Sequence, residues 1–351
     1  MVAVRVRGRG WLGMLAGVLA VLGLVALAQG PLETGIGEVL GALFGHMSGG
    51  RLGGGVDERV AVVVVEIRLP RVLAAMLVGA GLATAGACLQ GLFRNPLADP
   101  GLIGVSAGGA IGSILAISGL ALLPVAGGGA AALPVPLGAM LGAAGTTFLV
   151  YRIARIAGRT HISTLLLAGI AVNALAGALV GLVLYVSDND ALRRFTFWTL
   201  GSLHTTTWGS LAVMAPVILV PLALLPRHRQ ALNAFLLGEA EAYQLGFNTQ
   251  WVKRVVIIQC AAMVGITVAY CGLIGFVGLV VPHLVRLLWG PDFRRLIPAS
   301  ALLGAILVLA ADLAARTLRA PAEIPIGVVT ALLGAPFFLY LIHLRKRQLR
   351  V

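Results

Sequence analysis

Lysine is almost missing from this 351-residue chain: Lys253 and Lys346 are the only two. Neither follows a glycine, so the phosphate-cradling GxxxxGK[ST] loop is absent and no ATP site of that kind exists here. Charge of either sign is scarce, at 11% of residues against about 25% in soluble domains. The three cysteines, Cys88, Cys260 and Cys271, lie in apolar runs with no metal spacing and no even count. They imply neither a disulfide framework nor a zinc site, and they read as small packed hydrophobes. No HExxH occurs, and Ser, His and acidic residues are sparse, so no enzyme site is visible. An intramembrane proton relay needs acids in mid-span. Asp312 is the only candidate, near the outer end of its helix, where it reads as a partner for Arg316 four residues on.

What is present is apolar. Hydrophobic residues make up 59% of the chain and the mean hydropathy is +0.99. The excess runs along the whole length, which excludes a soluble protein with one greasy patch. At about 20 apolar residues per helical span, ten segments are predicted: 11–28, 67–92, 102–123, 135–157, 163–186, 208–225, 255–271, 274–288, 296–314 and 324–343. The first follows Arg5, Arg7 and Arg9 and could be a secretory signal cut near Ala28. Its length exceeds the 7–15 residues of a signal's apolar core and favours a retained helix. The Gly-rich stretch 30–59 is too broken to span and has room for a short surface helix over 34–47. No linker divides the chain, so residues 1–351 form a single all-α membrane domain.

In a soluble protein the net charge of +13 would point to nucleic acid. Here it sets orientation. With both termini cytoplasmic, 18 of the 26 basic residues and four of the 13 acids fall on the cytoplasmic side, leaving +14 there and −1 outside. The positive-inside rule thus supports an even number of spans. A weak internal echo also exists. Gly101-Leu-Ile-Gly104 recurs as Gly272-Leu-Ile-Gly275, each entering a short glycine-rich helix, as duplicated transporter halves do. The pairs Gly104/Gly108, Gly138/Gly142 and Gly177/Gly181 suit close helix approach in lipid.

Several stretches are distinctive. They are Arg68-Leu-Pro-Arg71, Val78-Gly-Ala-Gly-Leu-Ala83, Gln90, and Arg94-Asn-Pro-Leu-Ala-Asp-Pro-Gly-Leu-Ile-Gly-Val-Ser-Ala-Gly108. To these add Gly275-Phe-Val-Gly-Leu-Val-Val-Pro-His283, Arg286 and Glu323-Ile-Pro-Ile-Gly-Val-Val-Thr-Ala-Leu-Leu-Gly-Ala-Pro336. As a set, over residues 68–341, they resemble the permease subunits of ATP-binding-cassette importers for iron chelates, heme and cobalamin, the type II importers. The resemblance implies a ten-helix fold in the inner membrane, a second copy of the chain and two cytoplasmic subunits that bind ATP and Mg. It also implies a periplasmic binding protein, and no cofactor held by this chain. It implies that Arg68, Arg71 and Arg316 receive acidic residues of the binding protein, with Arg59 and Arg319 less secure; bidentate arginine–carboxylate pairing suits that task. The alternative for these arginines is local pairing with Glu66, Asp312 or Glu323.

The longest cytoplasmic loop, about 227–253, contains Leu236-Leu-Gly-Glu-Ala-Glu-Ala-Tyr-Gln-Leu-Gly246. Two short helices are predicted, one before Gly238 and one after it, with Gly246 as a C-terminal stop. The resemblance makes these the ATPase-coupling helices, carried by Leu237, Gly238, Glu239, Ala240, Glu241, Ala242 and Gly246. It makes Ile162 and Ser163 a cytoplasmic gate, although Ser163 also suits an ordinary N-cap. His283 reads as structural, and His161 and His204 as weak candidates for touching a passing chelate. Phe195-Thr-Phe-Trp-Thr-Leu-Gly-Ser202, Asn233-Ala-Phe-Leu-Leu-Gly-Glu-Ala-Glu241 and Ala314-Ala-Arg-Thr-Leu-Arg-Ala-Pro-Ala-Glu323 look most similar to heme permeases. Heme as cargo is the expectation, with Arg193 or Arg194 at the channel mouth; a ferric siderophore and cobalamin are the alternatives. A stand-alone ion-coupled transporter is the rival from another class, and it lacks a clear mid-span coupling residue.

Overall fold

The structure, a computed structural model, describes residues 10–30, 34–47, 57–119, 122–125, 129–132, 134–319 and 322–348. The chain opens with α1 (Gly10–Ala28), the short α2 (Ile36–Met47) and α3 (Glu58–Val62). A π-helical turn, Val63–Arg68, joins α3 without a break to α4 (Leu69–Leu92). Then come α5 (Val105–Ile117), the hairpin β1 (Leu122–Val125) and β2 (Gly129–Ala132), α6 (Val135–Ala154), and a tight hairpin of β3 (Arg155–Ile156) and β4 (Arg159–Thr160). Next are α7 (Ile162–Val186), α8 (Asn189–Thr199), α9 (Trp208–Leu224), α10 (Arg229–Leu237) and α11 (Glu239–Gln244). The chain closes with α12 (Thr249–Cys271), α13 (Val277–Trp289), α14 (Phe293–Thr317) and α15 (Ile326–Gln348).

Each of the ten expected segments contains a helix. Seven helices are long and apolar enough to cross a membrane, counting Glu58–Leu92 as one, and three shorter apolar helices complete the set. Of those, α5 and α13 have 13 residues each. At 1.5 Å per residue they reach only about 20 Å, short of a hydrocarbon core of about 30 Å. Each is preceded by non-α backbone. A 3-10 turn, Pro100–Ile103, leads into α5 through Gly104 at φ +86°, and α13 starts after Phe276 at φ +66°. These turns face protein, as lipid requires: the Asn173 side chain donates to the Gly101 carbonyl, and Pro100 lies against Gly278.

The echo between the two glycine-leucine-isoleucine-glycine runs therefore extends to packing. The short α5 packs on α6 and α7, as the short α13 packs on α14 and α15; α14 runs along α4, as α6 runs along α12. Helix α4 is the centre, contacted by α9, α12, α13 and α14 and buried over most of its length. Its crossing with α14 has no room for a side chain: a Cβ on Gly79 would stand 2.1 Å from the Gly304 carbonyl oxygen. Gly108 meets Gly142 in the same way across α5 and α6, whereas Gly177 and Gly181 touch nothing.

Three details differ from the sequence reading. Residues 122 and 123 lie in β1, so α5 ends earlier than the apolar run does. Helix α8 falls between expected spans; Asp188 caps it, and Ala191 and Phe195 bury one face against Ile114 and Ile117. Helix α7 is capped by His161 without a side-chain bond, which corrects the N-cap reading of Ser163.

Candidate functional site

Functional residues gather at the two ends of the bundle. At the first end the three arginines expected to stand exposed are instead enclosed. Arg68 and Arg316 are 4% and 5% exposed. A helix leaves its last carbonyls without internal partners and carries partial negative charge there. Both guanidinium groups serve that purpose for α1. Arg68 donates to the carbonyls of Leu27 (2.7 Å) and Ala28 (3.0 Å) and to the Thr34 hydroxyl (2.8 Å), and Arg316 donates to the carbonyl of Ala26. This corrects the expected exposure of Arg68 and Arg316. The carbonyls that take these bonds, Ala26 to Ala28, are those of the stretch considered as a signal cleavage site.

Arg71 forms the centre of the same cluster. Its guanidinium donates to both carboxylate oxygens of Asp312 at 2.8–3.1 Å and to both oxygens of Glu323 at 2.8 and 3.0 Å. The local pairing with Asp312 and Glu323 is thus realised by Arg71, and Asp312 takes Arg71 as its principal partner; Arg316 Nε stands 3.8 Å away. The hydrogen bonds from Arg71 hold the Glu323 carboxyl below its usual range. Beside this cluster lies a cavity of about 520 Å³ lined by Arg71, Phe197, Ser202, His204, Asp312 and Glu323. Ser202 and His204 pair through Oγ and Nδ1. Arg59 and Arg319 are exposed, and Arg193 and Arg194 are exposed and pair with Asp190. No group of three metal-ligating side chains occurs among the described residues.

At the other end, α10 and α11 form the expected helix pair. Ala231, Leu232, Ala234 and Phe235 seat α10 against α4 and α14. Asn233 ties it further, donating to Asp292 (2.8 Å) and accepting from the Phe293 amide (3.0 Å). The chain reverses at Gly238, φ +153°, where a Cβ would collide with the Glu241 side chain. Gly246 ends the second helix at φ +89°, with Phe247 N–H bonded to Ala242 and Gly246 N–H to Tyr243, the pairing of a Schellman cap. The knob so formed leaves Leu237, Ala240, Glu241, Tyr243 and Leu245 exposed, while Gly238 and Ala242 are buried.

A polar network absent from the sequence reading links this knob to the expected gate. Lys253 is 1% exposed in the first turns of α12. Its Nζ donates to Glu239 Oε1 at 2.6 Å and to the Thr160 carbonyl. Gln250 repeats the link: its Nε2 donates to Glu239 (3.0 Å) and its Oε1 accepts from the Thr160 amide (2.8 Å). Thr160 ends β4, and Ile162 and Ser163 open α7 two and three residues later. Beside this network lies a cavity of about 1020 Å³, with His161, Glu239 and Tyr243 among its walls. The available signal was one of only two lysines in the chain, placed just before an apolar span.

Between the ends, Gln90 on α4 donates to the Gly278 carbonyl (3.2 Å) and accepts from Arg286, joining α4 to α13. His283 is buried in α13 beside them, in keeping with its structural reading.

Comparison with known proteins gives a consistent picture. The FecCD transport family matches residues 18–344. The hemin transport system permease protein HmuU of Yersinia pestis is 45% identical over 82% of this chain and 84% of its own. The cobalamin import system permease protein BtuC of Halobacterium salinarum is 43% identical over 84% and 77%. The vitamin B12 import system permease protein BtuC of Klebsiella pneumoniae is 40% identical over 97% and 95%. A solved metal-chelate-type ABC transporter in an inward-facing conformation superposes with a TM-score of 0.82 at 34% identity, over 96% of this chain and 99% of that one.

Proposed function

The chain belongs to the FecCD transport family, and on that premise we propose that it is the permease of a heme importer, acting as a homodimer in the cytoplasmic membrane. A multi-span permease of the ABC-importer type follows from the family itself. Heme, the oligomer, the orientation and the partners are our reading. In it both termini and the α10–α11 knob face the cytoplasm, where two ATPase subunits supply the ATP and Mg site that this chain lacks.

The observation that carries the mechanism is the chain of contacts from Glu239 through Lys253 and Gln250 to Thr160. Movement of the ATPase pair would push the exposed face of α10 and α11. A rigid, capped knob transmits that push, and Glu239 passes it to β4 and so to Ile162 and Ser163. On the outer side, a binding protein would dock through Arg59 and Arg319, which are exposed. Arg71 would join them where an incoming carboxylate displaces the partly exposed Glu323. Arg68 and Arg316 would act behind them by holding α1 in place.

Heme is favoured by the 45% identity to the hemin permease and by the outer cavity, whose Phe197, Leu203 and Ile324 suit a flat apolar ring beside the Arg71 cluster. Cobalamin is the second reading, carried by relatives that match this chain nearly end to end. Proteoliposomes holding the permease and its ATPase discriminate the cargoes. Heme-loaded binding protein should raise ATP hydrolysis and heme uptake, and cobalamin-loaded protein should not. The reverse result replaces heme, and uptake without any ATPase subunit overturns the importer mechanism.

A further inference from the structure

Helices α6, α9 and α12 enclose a groove of about 530 Å³ whose lining is apolar apart from one end. Met140, Phe148, Ile257, Ile258 and Ile266 furnish its walls, and Tyr151 and Arg254 close it. From Met140 to Tyr151 along α6, and from Ile266 to Arg254 along α12, the groove runs about 17 Å at 1.5 Å per residue. That is about half of a hydrocarbon core of about 30 Å, one leaflet deep.

The closed end is strongly basic. Arg254 lines it, Arg152, Arg155 and Arg159 follow Tyr151 closely in the chain and are exposed, and no carboxylate pairs with any of the four among the described residues. Arg254 Nε lies 3.4 Å from the Tyr151 hydroxyl. One turn deeper, Thr147 Oγ1 is buried in the lining without a hydrogen-bond partner.

We propose that this groove binds one anionic phospholipid, with its phosphate at Arg254 and Tyr151, an ester carbonyl at Thr147 and an acyl chain along α6 and α12. Each part of the lipid meets its match in depth and chemistry. Guanidinium groups give charge-assisted bonds to phosphate. A hydroxyl about 6 Å below, one helical turn, falls at ester depth. Basic pockets between spanning helices on the cytoplasmic side are suited to anionic headgroups. A soluble partner could reach the basic rim and not the apolar trough, which lies along two spanning helices. The site also touches the gate: Thr160 Oγ1 donates to the Tyr151 hydroxyl at 3.3 Å, so the headgroup would sit against the strand that Lys253 and Gln250 hold. The inference is independent of the cargo.

Native mass spectrometry of the purified full chain with equimolar dioleoylphosphatidylglycerol and dioleoylphosphatidylcholine tests it. The wild type should retain the anionic lipid severalfold over the zwitterionic one. Arg254→Gln should bring that ratio close to one, and Arg254→Lys should keep it. Ala144→Phe, which fills the trough, should reduce retention of both lipids. A wild-type ratio of one, an unchanged ratio in Arg254→Gln, or full retention by Ala144→Phe would overturn the proposal. Displacement by inorganic phosphate alone would also overturn it, in favour of a free-anion site. If Arg254→Gln fails to fold, Arg155→Gln on the exposed hairpin gives the same readout.

Discussion

Asp312 sits with its side chain 1% exposed, and Arg71 supplies three of its hydrogen bonds. A buried carboxylate stripped of its cation costs about 3–5 kcal/mol, whereas replacing the whole pair by apolar groups is often neutral. Arg71→Met should therefore lower the thermal melting point sharply, and Arg71→Met with Asp312→Leu should recover most of the loss. Equal melting points for the two variants would show that the pair is not the cause. Glu323 gives a pH signature at the same cluster. Its folded-state pKa lies below the ordinary 4.5 because Arg71 bonds the charged form. Such a group adds stability above its unfolded pKa and loses it as pH falls through the lowered folded value. The melting advantage of wild type over Glu323→Gln should thus be full at neutral pH and vanish under acid conditions. Sequence spacing showed the Asp312–Arg316 neighbourhood on one helix. It could not show that Arg71, far away in the chain, takes the acid instead, because that pairing exists only once α4 and α14 pack.

At the level of elements, the crossing of α4 and α14 depends on Gly79 and Gly304 lacking side chains. Overpacking a tight contact costs about 1–3 kcal/mol. Gly304→Val should exceed that range, since the atoms it meets are backbone that cannot turn aside, while Gly177→Val on an open face should leave the melting point unchanged. The sequence made helix contact through glycine legible and left open which pairs touch. Helix α8 escaped notice for a physical reason as well. Its single apolar face spans only 11 residues, too short and too polar for the criterion that finds a membrane span. The α10–α11 pair was readable because Gly238 and Gly246 punctuate it, and both glycines do adopt positive φ. Lys253 was not read as part of it, because its partners lie on α11 and β4 and are brought together only by the fold. Lys253→Met should keep ATP hydrolysis by the assembled complex and lower cargo moved per ATP, measured in proteoliposomes. An unchanged ratio would remove Lys253 from the relay.

On the scale of the whole molecule, ten apolar segments and a one-sided charge were enough to read a bundle with a basic end. The duplicated entry into α5 and α13 shows why the fold tolerates two spans of 13 residues: each is preceded by a non-α turn that packs against protein. The same bundle keeps its two working ends apart. At one end, Arg68, Arg71 and Arg316 hold α1, α4 and α14 together; at the other, Arg152, Arg155, Arg159 and Arg254 have no salt-bridge partner among the described residues. Removing residues 239–245 deletes α11 and Glu239 while leaving every apolar segment intact, so insertion and melting of the spans should change little. Lys253 would keep the Thr160 carbonyl and lose its carboxylate, and the push from the ATPase would have no route to β4. The expected result is a complex that binds its ATPase through α10 and hydrolyses ATP, with cargo uptake abolished. Uptake at the wild-type rate in that variant would show that force reaches the gate through α10 and Asn233 instead, along the path to α14.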